Sequence, residues 1–218
     1  MFEEIKKNYF KIKNEIPKEV TLIAVSKKQG VDKIKTLYDL GQRDFGENYV
    51  QELLEKSNVL KNDCPEIVWH FLGRIQKNKI KALLPVCQNL HSLDSIEVLN
   101  EITKRKISIR LSKKINVFVQ VNIDEEDTKG GVLLKDLSQF LNVISQQEGV
   151  CFCGLMCIPR MRGENKIEPF LKILEIEKSL ATHRFPGRSM GMSDDYREAI
   201  KARSTHIRVG SALFGKRI

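Results

Sequence analysis

Apolar runs of strand length recur along the chain, separated by segments in which apolar residues follow a helical spacing. The first run, "TLIAVSK", is continuously apolar from Leu22 to Val25, which is typical of a parallel strand buried on both faces. Eight such runs occur, at 21–27, 43–47, 67–73, 89–94, 116–123, 150–159, 184–193 and 205–215.

The segments between these runs predict helices. One example is the series Leu133, Leu137, Phe140 and Ile144, and an amphipathic helix over about residues 2–15 precedes the first strand. Eight βα units in 218 residues favour a (β/α)₈ barrel with an extra N-terminal helix, near the lower size limit of that fold. We expect one domain over 1–218, and a doubly wound open sheet is the alternative.

Composition and charge exclude several classes of protein. The N terminus has no apolar signal region and no stretch holds eighteen apolar residues, so we expect no export and no membrane segment. The five cysteines are odd in number and lack metal-site spacing, which favours reduced thiols in the cytoplasm and no metal.

The net charge of +9 raises the question of a nucleic-acid partner. The densest basic run, "KRKISIRLSKK" at 104–114, has no interleaved aromatic residues and matches no common nucleic-acid motif. We interpret it as a solvated connector and expect no nucleic-acid partner.

Residues suited to binding a phosphate lie where the last two strands end. A barrel carries its functional side chains at the carboxyl ends of its strands and commonly binds phosphate with the loops after strands seven and eight. Ser189, Gly191, Gly210 and Ser211 lie there, and they offer hydroxyl groups and accessible backbone N–H groups. Closure of the barrel would set this cradle beside strand one.

Strand one ends in two lysines, Lys27 and Lys28. An amine next to a phosphate cradle is the arrangement needed to hold a phosphorylated aldehyde as an imine. Neighbouring strand residues face opposite ways, so only one of the two lysines can point into the site, and the pattern alone does not choose between them.

Motifs along nearly the whole chain resemble the pyridoxal phosphate homeostasis protein family, whose fold is that of the amino-terminal barrel of alanine racemase. The resemblance is carried by "AVSKKQ", "GQRDFGENYVQE", "WHFLGRIQKNK", "HSLDS", "VQVNIDEEDTKGG", "GLMCIP", "SMGMSDDYREAI" and "STHIRVGSALFGKR". The combination of "GENYVQE" with "SMGMSDD" is highly specific.

The resemblance implies that pyridoxal 5′-phosphate is carried covalently, as an aldimine, on Lys27 of "AVSK". By the same correspondence, Asn48 lies by the phenolic oxygen of the cofactor and Arg208 faces its pyridine nitrogen. The residues that the resemblance assigns to the phosphate are Ser189, Gly191, Gly210 and Ser211.

We expect structural roles for two histidines and one arginine. His70 and His91 also fall in family motifs, but we expect barrel-interior histidines with hydrogen-bond partners and leave both out of the site. Arg203 stands where the family tends to place glycine, so we expect it to adopt a positive φ at the end of a helix, at a cost of about 1 kcal/mol.

The implied function is a cofactor carrier in vitamin B6 homeostasis rather than an enzyme. An arginine at the ring nitrogen keeps the ring unprotonated and makes it a weak electron sink. Racemisation also needs a second acid/base, and the chain stops at "FGKRI", directly after strand eight. We expect a monomer whose partners are the cofactor and pyridoxal-phosphate-dependent apoenzymes.

Three alternatives remain at this stage. They are a weak amino-acid racemase, a Schiff-base aldolase whose phosphate belongs to the substrate, and a nucleic-acid-binding module.

Overall fold

The computed structural model describes residues 2–126, 129–160, 167–180 and 183–215. Eight parallel strands form a closed barrel in the order β1 to β8, so the predicted fold is confirmed. The strands are β1 (Thr21–Val25), β2 (Asp44–Glu47), β3 (Val68–Phe71), β4 (Asn89–Leu93), β5 (Ile115–Gln120), β6 (Val150–Met156), β7 (Arg188–Ser189) and β8 (His206–Val209).

Helices alternate with the strands and cover the outside of the barrel. They are α1 (Phe2–Glu15), α2 (Val31–Asp39), α3 (Val50–Leu60), α4 (Ile80–Leu83), α5 (Ile96–Ser108), α6 (Leu134–Ser145), α7 (Glu168–Ser179), α8 (Tyr196–Lys201) and α9 (Ser211–Phe214). Helix α1 confirms the predicted N-terminal helix and packs against α2 and α9.

The barrel closes by pairing of β1 with β8, in which Thr21 is opposite His206 and Ile23 is opposite Arg208. The sequence predicted this neighbourhood from closure alone. As a result, the segments after β8 and after β1 meet at the same end of the barrel.

The core is mainly aliphatic between the strands and helices. Leu137, Phe140 and Ile144 lie on the buried face of α6, as their spacing predicts. Burying one such side chain contributes about 1.5–3 kcal/mol relative to leaving it exposed.

Two of the strands are less than half as long as their apolar runs. The run at 184–193 contains only the two-residue strand β7, and the run at 205–215 contains β8 followed by the short helix α9. The apolar residues Leu213 and Phe214 are buried in α9, which packs against α1. A short apolar run suits either a strand or a buried helical turn, so its pattern did not separate them.

Arg203 follows the end of α8 with a φ of 62°, as expected. The N–H of Ser204 donates to the carbonyl of Ala199 at 2.9 Å, which ends the helix with a residue in the left-handed region.

Candidate functional site

A cavity of about 230 Å³ opens at the carboxyl ends of the strands. Its apolar lining includes Leu72, Met156 and Met192. Five of the predicted site residues line it, namely Lys27, Asn48, Arg208, Gly210 and Ser211. Ser193 and Asp194, in the segment after β7, also line it.

Lys27 and Lys28 occupy different surroundings. Lys27 is half-buried and lines the cavity, whereas Lys28 is exposed and has a φ of 59°. The backbone N–H of Lys28 donates to Oε1 of Glu52 at 2.5 Å. The structure therefore brings Lys27 to the cavity and turns Lys28 away from it.

A buried ionic cluster holds the backbone at the end of β1. Nζ of Lys56 donates to the carbonyl oxygen of Ser26 at 2.6 Å and to carboxylate oxygens of Glu47 and Glu52, each at 2.7 Å. The hydroxyl of Ser26 donates to the same Glu47 oxygen at 2.7 Å. Because Ser26 precedes Lys27, this cluster fixes the backbone from which Lys27 projects.

Glu47 is the most confined member of this cluster. Its side chain is fully buried, and its Oε2 has no hydrogen-bond partner in the described part of the chain. Burial raises the pKa of Glu47, while the hydrogen bonds from Lys56 and Ser26 oppose that rise. Glu47 therefore depends on these two partners to be held as a carboxylate inside the protein.

Asn48 follows Glu47 at the end of β2 and is set against the loop after β3. A Cβ atom at Gly73 would lie 2.0 Å from the backbone oxygen of Asn48, so only glycine permits this approach. This close contact fixes the backbone of Asn48, which lines the cavity.

The segments after β7 and β8 are joined through Ser193. Its hydroxyl oxygen accepts from the backbone N–H groups of Gly210 at 3.2 Å and Ala212 at 3.1 Å. Two N–H groups thus converge on one oxygen at the cavity wall, beside Ser211. Convergent N–H groups of this kind suit an anionic oxygen.

Gly191 shapes the segment after β7 rather than lining the cavity. Its φ is +95°, and an added Cβ would lie 2.6 Å from Cβ of Ala199 in α8. Further along, Asp195 accepts from the backbone N–H of Met192 at 2.5 Å. These contacts fold residues 191–195 into the turn that presents Ser193.

Arg208 is buried and lines the cavity. Nη1 donates to Oγ of Ser189 at 2.7 Å, and Nη2 donates to the backbone oxygen of Cys157 at 3.0 Å. Burial lowers the pKa of Arg208 from its ordinary value. Because that ordinary value lies so far above neutrality, the side chain stays cationic.

Ser189 lies beneath Arg208 and is fully buried. Its oxygen is also 2.8 Å from Nδ1 of His91. Its hydroxyl group is therefore in contact with both Arg208 and His91, and Ser189 is not among the residues that line the cavity. Met190 is buried as packing, whereas Met192 is partly exposed at the cavity.

The donors in this cavity fit a phosphorylated aldehyde. Lys27 supplies an amine, the N–H groups of Gly210 and Ala212 already hold an oxygen, and Arg208 supplies a fixed cation. Anion and amine sites thus lie in one cavity, as an aldehyde bearing a phosphate requires.

Two contributors to the site, Ser193 and Lys56, were not predicted from the sequence. Ser193 lies inside the quoted motif "SMGMSDDYREAI" and meets the same small-hydroxyl criterion as Ser189. Lys56 had a different signal, because its spacing from Leu53 and Leu60 places it on the buried face of α3. A lysine on an apolar helix face predicts a buried partner.

Comparison with known proteins gives consistent matches. The sequence profile of the family described as "Alanine racemase, N-terminal domain" matches residues 2–217. The chain is 32% identical over 204 residues to a protein of Haemophilus influenzae named pyridoxal phosphate homeostasis protein, covering 91% of this chain and 85% of that one. A Mus musculus protein of the same name is 36% identical over 212 residues, covering 90% and 76%.

Solved structures agree with these matches. PipY of Synechococcus elongatus, whose structure is described as having PLP bound, superposes with a TM-score of 0.86 at 31% identity, covering 97% of this chain and all of that one. Alanine racemase of Clostridium difficile superposes with a TM-score of 0.76 at 15% identity, covering 99% of this chain and 57% of that chain, a likeness of fold alone. Across the residues that the structure describes, no helix has the length and apolar character needed to cross a membrane.

Proposed function

Because the chain belongs to the family of pyridoxal phosphate homeostasis proteins, we propose that it binds pyridoxal 5′-phosphate in this cavity and acts in the homeostasis of that cofactor. The observation that carries the proposal is that Lys27 shares one cavity with Ser193 and Gly210, where two backbone N–H groups converge on the Ser193 hydroxyl oxygen. The PLP-bound relative PipY, which covers 97% of the chain, supports it.

Lys27 is the residue that we assign to covalent attachment. Pyridoxal phosphate supplies an aldehyde carbon that forms a Schiff base with an amine, with loss of water. Nζ of Lys27 is that amine, and the cluster of Lys56, Glu47 and Ser26 holds its backbone in place. Lys28 is exposed and does not line the cavity, so its amine lies outside the proposed site.

Gly210 and Ser211 are the residues that we assign to the phosphate, through backbone N–H groups and the Ser211 hydroxyl. A phosphate oxygen would take the position at which Ser193 now accepts from residues 210 and 212. Gly191 contributes by shaping the turn that carries Ser193. Ser189 contributes through Arg208.

Arg208 and Asn48 are assigned to the cofactor ring, at the pyridine nitrogen and the phenolic oxygen. A guanidinium donates a hydrogen bond but does not give up its proton, so it holds a ring nitrogen as an acceptor. An unprotonated ring is a weak electron sink. This property supports a carrier over a catalyst of carbanion chemistry.

The cellular side of the proposal is a reversible store of vitamin B6 in the cytoplasm. All five cysteines are unpaired thiols, which supports a reducing compartment. We propose that the chain acts as a monomer and that pyridoxal-phosphate-dependent apoenzymes receive the cofactor.

Absorption spectroscopy tests the proposal. Titration of the protein with pyridoxal phosphate should produce a visible band in the wild type and in Lys28→Ala, but not in Lys27→Ala. Lys28→Ala is the matched control, since it removes the neighbouring amine. A band that persists in Lys27→Ala and disappears in Lys28→Ala would refute the assignment.

The match to the alanine racemase domain favours one second candidate, a weak amino-acid racemase. NMR of alanine in deuterated water distinguishes the two functions. A carrier should exchange the α-proton of alanine very slowly, and Arg208→Glu should raise that exchange by favouring a protonated ring. Rapid exchange by the wild type, with accumulation of D-alanine, would favour the racemase.

A further inference from the structure

A chain of hydrogen bonds crosses the barrel interior from Arg208 to Asp44. Nη1 of Arg208 lies 2.7 Å from Oγ of Ser189, which lies 2.8 Å from Nδ1 of His91. Nε2 of His91 lies 2.9 Å from Nδ1 of His70, and Nε2 of His70 lies 2.9 Å from Oδ1 of Asp44. Four contacts thus link five side chains.

This chain connects strands that are far apart in the barrel. Ser189 on β7 and His91 on β4 are not on paired strands, so their contact passes through the barrel interior. His91 is fully buried, and its ring stacks on Phe118 with centroids 4.4 Å apart. Asp44, at the start of β2, has a side chain that is 32% exposed, so the chain ends at solvent away from the cavity.

The two ends of the chain fix the direction of its hydrogen bonds. Arg208 can only donate, and a carboxylate at Asp44 can only accept. If His70 carries its proton on Nε2, it donates to Asp44 and its Nδ1 accepts from Nε2–H of His91. The hydroxyl of Ser189 then donates to Nδ1 of His91 and accepts from Arg208, so every proton has an acceptor.

The opposite direction leaves groups unsatisfied. If His91 carried its proton on Nδ1, it would donate to Ser189, and the Ser189 hydroxyl would lose this acceptor. His70 would then have to donate from both nitrogens, as a cation in the barrel interior. Burial disfavours a charge on the His91 ring, since it lowers the pKa of His91 well below 6.5. Leaving a buried polar group without a partner costs more free energy than a typical hydrogen bond contributes to stability.

We propose that Asp44, His70, His91 and Ser189 are positioning residues that hold Arg208 with its remaining N–H groups directed at the cavity. The Ser189 hydroxyl and the carbonyl of Cys157 each accept a hydrogen bond from one terminal nitrogen of Arg208. The chain of hydrogen bonds keeps a lone pair of the Ser189 oxygen available to Arg208. The inference rests on the proposed function, in which those N–H groups meet the pyridine nitrogen.

The tautomers of the histidines test this inference without any cofactor. The chain has four histidines, so ¹⁵N-histidine NMR of the purified apoprotein gives few signals, which single substitutions assign. We expect the Nε2–H form at both His70 and His91. An Nδ1–H form at either ring would overturn the proposal.

Substitution of Asp44 tests whether the chain of hydrogen bonds positions Arg208 from across the barrel. Asp44→Leu removes the final acceptor, so the His91 signals should shift and the affinity for pyridoxal phosphate should fall by about threefold to tenfold. Asp44→Asn keeps an acceptor oxygen and should retain the Nε2–H forms. Asp63→Leu is the matched control, because Asp63 pairs only with the exposed Lys35 in the contacts described.

The outcomes separate this inference from the proposed function. Unchanged His91 signals and unchanged affinity in folded Asp44→Leu would overturn the positioning role. If the wild type failed to bind pyridoxal phosphate, the proposed function would fail and the positioning role would fail with it. Expected tautomers with a loss of affinity confined to Asp44→Leu and absent in Asp63→Leu would support the inference.

Discussion

The hydroxyl oxygen of Ser193 accepts a hydrogen bond from the backbone N–H of Gly210 at 3.2 Å, across the two segments that border the cavity. The N–H of Ala212 donates to the same oxygen at 3.1 Å. A side-chain oxygen therefore occupies the position that we assign to a phosphate oxygen. Binding of the cofactor should displace it.

Ser211→Ala should weaken pyridoxal phosphate binding by about tenfold to a hundredfold, because one donor to a charged group is lost. Ser193→Ala should reduce the affinity for pyridoxal phosphate less than Ser211→Ala does, because it also frees the two N–H groups that donate to Ser193. Titration followed by absorbance measures both affinities. Unphosphorylated pyridoxal is the control, and equal tight binding of pyridoxal and its phosphate by the wild type would refute the phosphate assignment.

Lys56→Met should destabilise the fold by about 3–5 kcal/mol, because it leaves Glu47 buried without its cation. Urea unfolding measures this loss. The double substitution Lys56→Met with Glu47→Leu removes both charges and should recover much of the stability. Equal loss in the single and double variants would contradict the role assigned to the ion pair.

Arg203→Gly should stabilise the protein by up to about 1 kcal/mol, because glycine adopts a φ of 62° without the strain that a side chain brings. The Arg203 side chain is exposed, so little packing is lost. Arg203→Ala is the control for removal of the side chain and should give no such gain. The midpoints of urea unfolding decide between these outcomes.

Acid should destabilise the protein through two histidines of low pKa, the half-buried His206 and the fully buried His91. Burial lowers the pKa of His206 to about 4, below the value of 6.5 that it would have when unfolded. The unfolded chain therefore binds the proton first, and the free energy of unfolding should fall from about pH 6.5 towards pH 4. At about 1.4 kcal/mol per unit of pKa, the loss is roughly 3 kcal/mol.

His206→Gln should flatten this pH dependence, and urea unfolding at a series of pH values checks it. Above pH 7 the wild type and the variant should run parallel, since both side chains are then neutral. An unchanged slope between pH 6.5 and 4.5 in the variant would contradict the assignment to His206. His91, whose pKa burial also lowers, should supply the slope that remains.

The barrel could be predicted because each strand and helix is encoded locally. The continuous run Leu22–Val25 is buried, and the α6 spacing faces the core. The ends of β7 and β8 could not be predicted in the same way. Burial of Leu213 and Phe214 depends on packing of α9 against α1, which is distant in sequence.

The part of the candidate site that lies directly at the strand ends could be predicted from the sequence. Lys27, Asn48 and Ser211 line the cavity because parallel strands end at one face of a barrel. Ser189 also lies at a strand end, but its side chain is directed inward to His91. That contact is set by which strands face each other across the barrel, and a single strand pattern does not contain this information.

Attachment of the cofactor to Lys27 is the central claim, and reduction with borohydride followed by peptide mass mapping tests it most directly. The protein is loaded with pyridoxal phosphate, reduced and digested, and the mass of the reduced cofactor is located by fragmentation. We predict that the label lies on Lys27 and disappears in Lys27→Ala. Label on Lys28, or no stable label on the loaded protein, would contradict the account.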